Sequence, residues 1–312
     1  MQGGSGLFSI EKEISGGCIV ALGTFDGLHL GHRAVLEKAL AEGKKRRLVP
    51  IALLFDEHPK KFLCKAAPPE LVTPEEKKKM LREMGFTLVT ASFSELHNMT
   101  AREFLLKIYC TLGVRAISCG YNYHFGKDAL GNTATLKTEC EKLGIALFVA
   151  PQQQYEGEAI SSTRIRALLE NGEIRMANAM LGREFSYCFE VVSGDRRGRL
   201  LGFPTINQFF PEGFVRLRRG VYASKVCVSG EWHPAVTNIG VRPTVDGESF
   251  RSETCIFGFS GDLYGLKIEV LLLDFLRDET KFDSLEALTA AIRRDGERAV
   301  EIYKEKELKT NE

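Results

Sequence analysis

The residues best suited to chemistry are two histidines set three apart in a glycine-punctuated run, Gly23-Thr24-Phe25-Asp26-Gly27-Leu28-His29-Leu30-Gly31-His32. On the first turn of a helix they share one face, and their imidazoles can donate hydrogen bonds to a phosphoryl group whose negative charge grows as it is attacked. Gly27 and Gly31 remove side chains where a triphosphate would approach the backbone. A bare His-x-x-His is as readily an exposed pair or an incidental metal pair. Here an apolar strand precedes the run and a helix follows it, a setting in which backbone N–H groups and the helix dipole favour phosphate.

Two further runs have related chemistry. Ser161, Ser162 and Thr163 are hydroxyl donors leading into a helix, and Arg164 and Arg166 can hold phosphate oxygens as forks. Alone, that run reads as a helix cap with surface arginines. The segment from Gly194 to Asn207, with Gly198 and Gly202 among its arginines, is a glycine-spaced basic loop suited to a polyphosphate. Thr205 and Asn207, two apart in an extended segment, project the same way. They offer a hydroxyl and an amide oxygen to a hard cation such as Mg²⁺, which takes one or two protein ligands and completes its octahedron with water and phosphate oxygens. The chain has no G-x-x-x-x-G-K-[ST], so neither half is a P-loop kinase.

These runs must be held by elements that change character near residue 185. Before it, apolar strand-like segments at 18–22, 48–55, 86–89, 116–119 and 145–149 alternate with helical patterns at about 29–42 and 74–84, which predicts a mostly parallel sheet covered by helices. Thr73 and Pro74 open the second of these helices, and the basic run Lys44–Arg47 reads as a solvated turn. Residues 161–183 read as two helices broken at Asn171-Gly172, with Gly182 as C-cap. After Phe185 come short alternating strands at 189–193, 221–228, 235–239, 254–259 and 266–272, which predict a small antiparallel barrel. A closing helix starts at Ser284, with Asp283 as N-cap and Leu285, Leu288 and Ile292 as its buried stripe. The expected domains are therefore 1–185 and 186–312.

Composition excludes several classes. Lys plus Arg total 42 against 41 for Asp plus Glu, a net charge of +1 that argues against nucleic acid or an anionic membrane as partner. No apolar run is long enough to span a bilayer, and the first residues lack a secretory pattern. Eight scattered cysteines without a C-x-x-C pair fit reduced thiols in a cytoplasmic protein better than a disulfide frame or a zinc site.

With these motifs in place, the chain resembles the nucleotidylyltransferase superfamily and, more narrowly, the bacterial bifunctional riboflavin kinase/FMN adenylyltransferases. Phe55-Asp56-Glu57-His58-Pro59 stands where that family has T-F-x-P-H-P, with Leu54 for Thr and Glu57 for Pro. Gly120-Tyr121-Asn122-Tyr123-His124-Phe125-Gly126 is similar to its G-x-[DN]-F-x-F-G, and Ile160–Arg166 to its I-S-S-T-x-I-R. Pro204–Asn207 matches its P-T-x-N motif, and its catalytic glutamate falls at Glu253, with Cys255 where most relatives carry His.

The resemblance implies an α/β Rossmann-like nucleotidylyltransferase domain followed by a small antiparallel β-barrel, riboflavin kinase-like, with a C-terminal helix. It implies ATP, riboflavin and FMN as substrates with Mg²⁺, phosphorylation of riboflavin to FMN, and adenylylation of FMN to FAD with release of pyrophosphate. His29, His32 and Glu253 would be catalytic. Gly23, Phe25, Asp26, Gly31, Asn122, Ser161, Ser162, Thr163, Arg164, Gly198 and Gly202 would bind nucleotide, and Thr205 and Asn207 the metal. His58, Pro59, Asn238, Arg242 and Arg277 would meet the flavin. Asn122 reads equally as a base or ribose contact and as a turn residue, and His58 as a substrate contact or a loop-packing residue. The expected partners are small molecules, with self-association and transfer of FAD to apoflavoproteins left open.

Overall fold

The computed structural model describes residues 7–57, 67–194, 203–244 and 247–310. The chain divides into two compact units, Met1–Ser162 and Thr163–Glu312.

The first unit is built on strands β1 (Phe8–Ile10), β2 (Cys18–Leu22), β3 (Val49–Phe55), β4 (Thr87–Ala91), β5 (Val114–Gly120) and β6 (Ala146–Ala150). Their order is β1-β4-β3-β2-β5-β6, and every neighbour is parallel except β1, which runs antiparallel to β4 at the edge. Helices α1 (Leu30–Arg46), α2 (Pro74–Glu83), α3 (Ala101–Leu112) and α4 (Thr133–Leu143) connect them. All five residues of β2 are buried, as expected of a strand covered on both faces. Val20 and Leu22 pack with Phe104, Leu105 and Ile108 of α3, while Ile19 and Ala21 pack with Val35, Leu36 and Ala39 of α1.

The chain moves from β2 to β3 and β4 on one side, then to β5 and β6 on the other. The order therefore reverses between β2 and β5, and in open α/β sheets the crevice beyond the carboxyl ends of such strands is where ligands bind. The basic run at 44–47 is not a loop. Lys44, Lys45 and Arg46 form the last turn of α1, where cations suit the helix dipole, and Arg46 pairs with Glu42 at 3.2 Å.

The second unit holds α5 (Ser162–Asn171) from its second residue on, then α6 (Ile174–Leu181) and β9 (Phe185–Glu190) through β14. The intervening β7 (Gln154–Tyr155) and β8 (Glu158–Ala159) form a two-residue hairpin in the first unit. Strands β10 (Thr205–Phe209), β11 (Gly220–Val228), β12 (Glu231–Thr244), β13 (Gly247–Ile256) and β14 (Lys267–Arg277) complete an all-antiparallel sheet ordered β10-β13-β12-β11-β14-β9. This sheet curls into a half-barrel. Its edges meet where the Gln208 amide donates to Phe189 O at 2.7 Å and Ile268 O at 2.8 Å, and where Val192 N donates to Asn207 O at 2.9 Å.

The change of sequence character at 185 marks the start of β9, yet α5 and α6 cluster with the barrel that follows them. Asn178 shows why: its amide donates to Leu272 O at 2.9 Å and accepts from Phe185 N at 2.7 Å, tying α6 to two strands. The strand expected at 189–193 begins four residues earlier, where Phe185 pairs with Leu272 of the last strand.

The closing helix α7 (Leu285–Thr310) also departs from expectation. Ser284 rather than Asp283 caps it, its hydroxyl accepting from Ala287 N at 3.1 Å. Leu285 is 64% exposed, so the buried stripe is Ala291, Ala299 and Ile302 instead. Leu285, Leu288 and Ile292 face a cavity.

Replacing Asn178 by Leu leaves two buried backbone groups without partners and is expected to destabilise the second unit by about 2–4 kcal/mol. Trp232, the chain's one tryptophan, lies in β12, so its fluorescence during urea unfolding reports on this unit.

Candidate active sites

At the end of β2 the backbone enters a left-handed stretch, with φ of 50° at Phe25, 79° at Gly27 and 43° at Leu28. Left-handed non-glycine residues cost of order 1–3 kcal/mol each and persist only where neighbours over-determine them. Here Phe25 and Leu28 are anchored by side chains 0% and 2% exposed. The turn delivers His29 as N-cap of α1, its Nδ1 accepting from His32 N at 3.3 Å, and stacks the two imidazoles with centroids 3.8 Å apart.

Phe25 closes edge-on over His32 at 5.6 Å. His32 Nδ1 is enclosed and finds no hydrogen-bond partner among the described residues. Burial first, then the charges of His29 and Lys77, hold the His32 pKa well below the ordinary imidazole value, so its ring is neutral at pH 7 and keeps one N–H to donate.

The glycines serve packing as well as access. A Cβ on Gly27 would lie 2.7 Å from Leu71 Cδ1, and one on Gly31 would lie 3.1 Å from the His29 ring. Asp26 is buried, with Oδ1 accepting from Leu71 N at 2.9 Å, and its carbonyl accepts from Ser162 Oγ at 3.0 Å. That bond brings the serine-rich run to the histidine turn. Gly23 follows β2 and Asn122 follows the neighbouring β5, so both lie at the sheet's reversal point. Asn122 is exposed in a turn, its carbonyl 2.9 Å from His124 Nδ1. Ser161 is half-buried, while Thr163 and Arg164, exposed and half-buried, are carried by α5.

In the second unit the register collects four of the expected residues on one rung. Asn207 lies opposite Glu253, Glu253 opposite Asn238, Asn238 opposite Val221, and Val221 opposite Arg277. Directly paired residues in an antiparallel sheet share a face. Two rungs along, on the same face, Thr205 lies opposite Cys255, which pairs with Val236.

This face bounds a cavity of about 630 Å³ lined by Thr205, Asn238, Glu253, Cys255 and Arg277, with Phe203, Phe282, Leu288 and Ile292 supplying apolar walls. That volume is typical of a small-molecule site. Asn207 is buried beside it, covered by Gly194, where a Cβ would lie 2.7 Å from the amide carbon.

Several residues here escaped the sequence reading. Arg251 ion-pairs with Glu253, two residues along the same strand face, and strand alternation could have found it. Arg277 is held by Asp295 of α7 at 2.7 Å and lies over the Phe282 ring at 5.5 Å. Burial raises the Cys255 thiol to about 11, so it is a neutral wall of the cavity. In the first unit, Lys77 and Glu70 lie beside the histidine turn, and nothing in the lysine run 77–79 marked Lys77 out. His58, Pro59, Gly198 and Gly202 lie outside the described residues, as does the Arg242 side chain.

Two stretches of the chain match known protein families. Residues 11–164 match the FAD synthetase family and residues 181–303 the riboflavin kinase family. The chain belongs to the bifunctional riboflavin kinase/FMN adenylyltransferase family. A member from Escherichia coli K12 is 34% identical over 309 residues, covering 96% of each chain. One from Bacillus subtilis 168 is 31% identical, covering 94% of each. A Streptococcus pneumoniae crystal structure described as a macrolide-efflux protein superposes with a TM-score of 0.84 at 31% identity, covering 92% of this chain and 95% of that one. Among the described residues of this chain, no helix is long and apolar enough to cross a membrane.

Because Gly194 covers Asn207, Gly194→Ala is expected to displace that amide. Riboflavin phosphorylation should fall about 10-fold or more, with FMN-to-FAD conversion retained, as followed by chromatography of the flavins.

Proposed function

We propose that the second unit phosphorylates riboflavin to FMN with ATP and the first adenylylates FMN to FAD. The observation that carries this reading is the single rung that aligns Asn207 with Glu253 and Asn238, the latter two lining one 630 Å³ cavity with Thr205.

In the kinase step the ribityl 5′-hydroxyl oxygen bonds to the γ-phosphorus, the bond from that phosphorus to the β–γ bridging oxygen breaks, and ADP leaves. Glu253 orients the hydroxyl and takes its proton, while Arg251 fixes the carboxylate. Asn238 and Arg277 meet the flavin, and the apolar walls exclude water from its ring.

Thr205 and Asn207 fit a hard cation, since their hydroxyl and amide oxygens share a face and the Glu253 carboxylate lies across the rung from Asn207. A Mg²⁺ ion held by Thr205 and Asn207 would supply positive charge against the transferring phosphate. Gly198, Gly202, His58, Pro59 and Arg242 belong to the same proposal as nucleotide- and flavin-binding positions.

In the adenylylation step an FMN phosphate oxygen bonds to the α-phosphorus of ATP and pyrophosphate leaves. His29 and His32 donate to the α-phosphate as its charge develops, and the neutral state of His32 leaves it able to do so at pH 7. Gly23, Phe25, Asp26 and Gly31 shape the turn that receives ATP, and the run Ser161–Arg164 and Asn122 supply further donors. This reading includes a cytoplasmic setting, self-association and transfer of FAD to apoflavoproteins.

His29→Ala or His32→Ala is expected to slow FMN adenylylation about 10²-fold or more while leaving riboflavin phosphorylation near wild type. Equal loss of both would refute the separation of sites.

Glu253→Gln keeps the side chain's size but discards its charge and basicity, so it should lower the kinase kcat with little change in nucleotide affinity. FMN given directly should still become FAD. A wild-type single-turnover rate for riboflavin phosphorylation would remove Glu253 from the proton transfer.

A further inference from the structure

Adenylylation brings the phosphate of FMN against the phosphates of ATP, and two anions must meet. A neutral His32 offers a hydrogen bond to that encounter and no charge. A cation beside the histidines would lower the repulsion between substrates directly.

Helix α2 is fastened to the histidine turn at its start. Leu71 N donates to the Asp26 carboxylate at 2.9 Å, and the Leu71 side chain occupies the space a side chain on Gly27 would need. Thr73 caps the helix by accepting from Glu76 N at 3.2 Å, and Lys77 N donates to Thr73 O at 2.9 Å, which sets Lys77 on the first turn.

The three consecutive lysines then differ. Lys79 reaches Glu76 at 3.9 Å on the surface, whereas Lys77 is half-buried and makes no ion pair among the described residues. Its charge acts on His32 and is felt by Asp26 and Glu70, with Lys78 also near it. Burial lowers its pKa against the opposing pull of Asp26 and Glu70, while the Glu70 carboxyl is itself raised by burial. A half-buried ammonium with no ion pair among the described residues thus acts electrostatically on an imidazole whose enclosed Nδ1 has no hydrogen-bond partner among them. The ammonium's deficit is met by an anion rich in oxygen acceptors.

We propose that Lys77 is a third phosphate-binding group of the adenylylation site, its ammonium meeting oxygens of the phosphates gathered over His29 and His32. This rests on the assignment of those histidines to adenylyl transfer. The competing role is structural, with Lys77 only offsetting the Asp26 and Glu70 charges.

The test uses the full chain with Lys77→Met, Lys77→Gln and Lys77→Arg, and His32→Ala in parallel. FAD formation from FMN and ATP is measured beside riboflavin phosphorylation in the same preparations. The neutral variants should lose about 10²-fold in kcat/KM for FAD formation and bind inorganic pyrophosphate or FMN more weakly by calorimetry, with the kinase unchanged. The Arg variant should recover part of the loss.

A KM rise confined to ATP assigns the contact to the polyphosphate, and one confined to FMN assigns it to the flavin phosphate. By NMR, the His32 pKa should rise in Lys77→Met, because a nearby cation has gone.

Wild-type FAD formation in all three Lys77 variants with His32→Ala inactive would overturn the proposal. Equal loss of both activities with a lowered melting temperature would do so as well, assigning Lys77 to folding. An active His32→Ala would instead count against the histidine assignment on which the proposal rests.

Discussion

A slip of one residue between β10 and β13 would send Glu253 and Asn207 to opposite faces of the sheet, so the proposed kinase site depends on the register of that one strand pair. What pins it lies on the other side. Ser224, Thr237 and Thr254, on three adjacent strands, form a buried chain of hydroxyls with links of 2.8 and 2.9 Å. Thr237 and Thr254 are the sequence neighbours of Asn238 and Glu253, and Gln208 follows Asn207. Any slip that moved the reactive residues would therefore break this interior chain or the two Gln208 bonds that join the sheet edges. A buried hydroxyl stripped of its partner costs about 1–3 kcal/mol. The polar barrel interior and the rung of Asn207, Glu253 and Asn238 are thus two faces of one pairing.

The first unit solves the same problem with a turn. Its histidines are placed by three left-handed residues between a fully buried strand and a helix, and the strain is held by Phe25 and Leu28 in the core. The Asp26 carboxylate then fixes Leu71 and with it α2. Asp26 is thereby a bracket between two segments of chain, whatever else it contacts. The precision of a sheet comes from alternation and pairing, whereas that of a turn comes from filling every space around it.

Much of this was legible in the sequence, and the exceptions have physical causes. Strand β2 was readable to the residue because a strand buried on both faces is apolar throughout. The edge strand β1 carried no such signal, since two of its three residues are exposed. The extra length of β12 and the early start of β9 depend on cross-strand partners, which local pattern does not contain. Leu285, Leu288 and Ile292 have helical spacing, but a cavity-facing stripe and a core-facing one look alike in sequence. Asn207, Glu253 and Asn238 were each readable from motif resemblance. That they form one rung follows only from register.

Lys77 and Arg251 show the limit of that legibility. Lys77 stands among other charged residues and Arg251 between Phe250 and Ser252, settings in which composition marks neither. Arg251 becomes meaningful through Glu253 two positions on, a spacing that matters only once the segment is known to be a strand. Lys77 becomes meaningful through Leu71, whose backbone bond to Asp26 carries α2 to the histidine turn. In both cases a side chain's setting is decided by where the backbone beside it is anchored. Motifs mark the groups that meet a ligand, while the charges that tune those groups are found by following backbone hydrogen bonds outward from the motif.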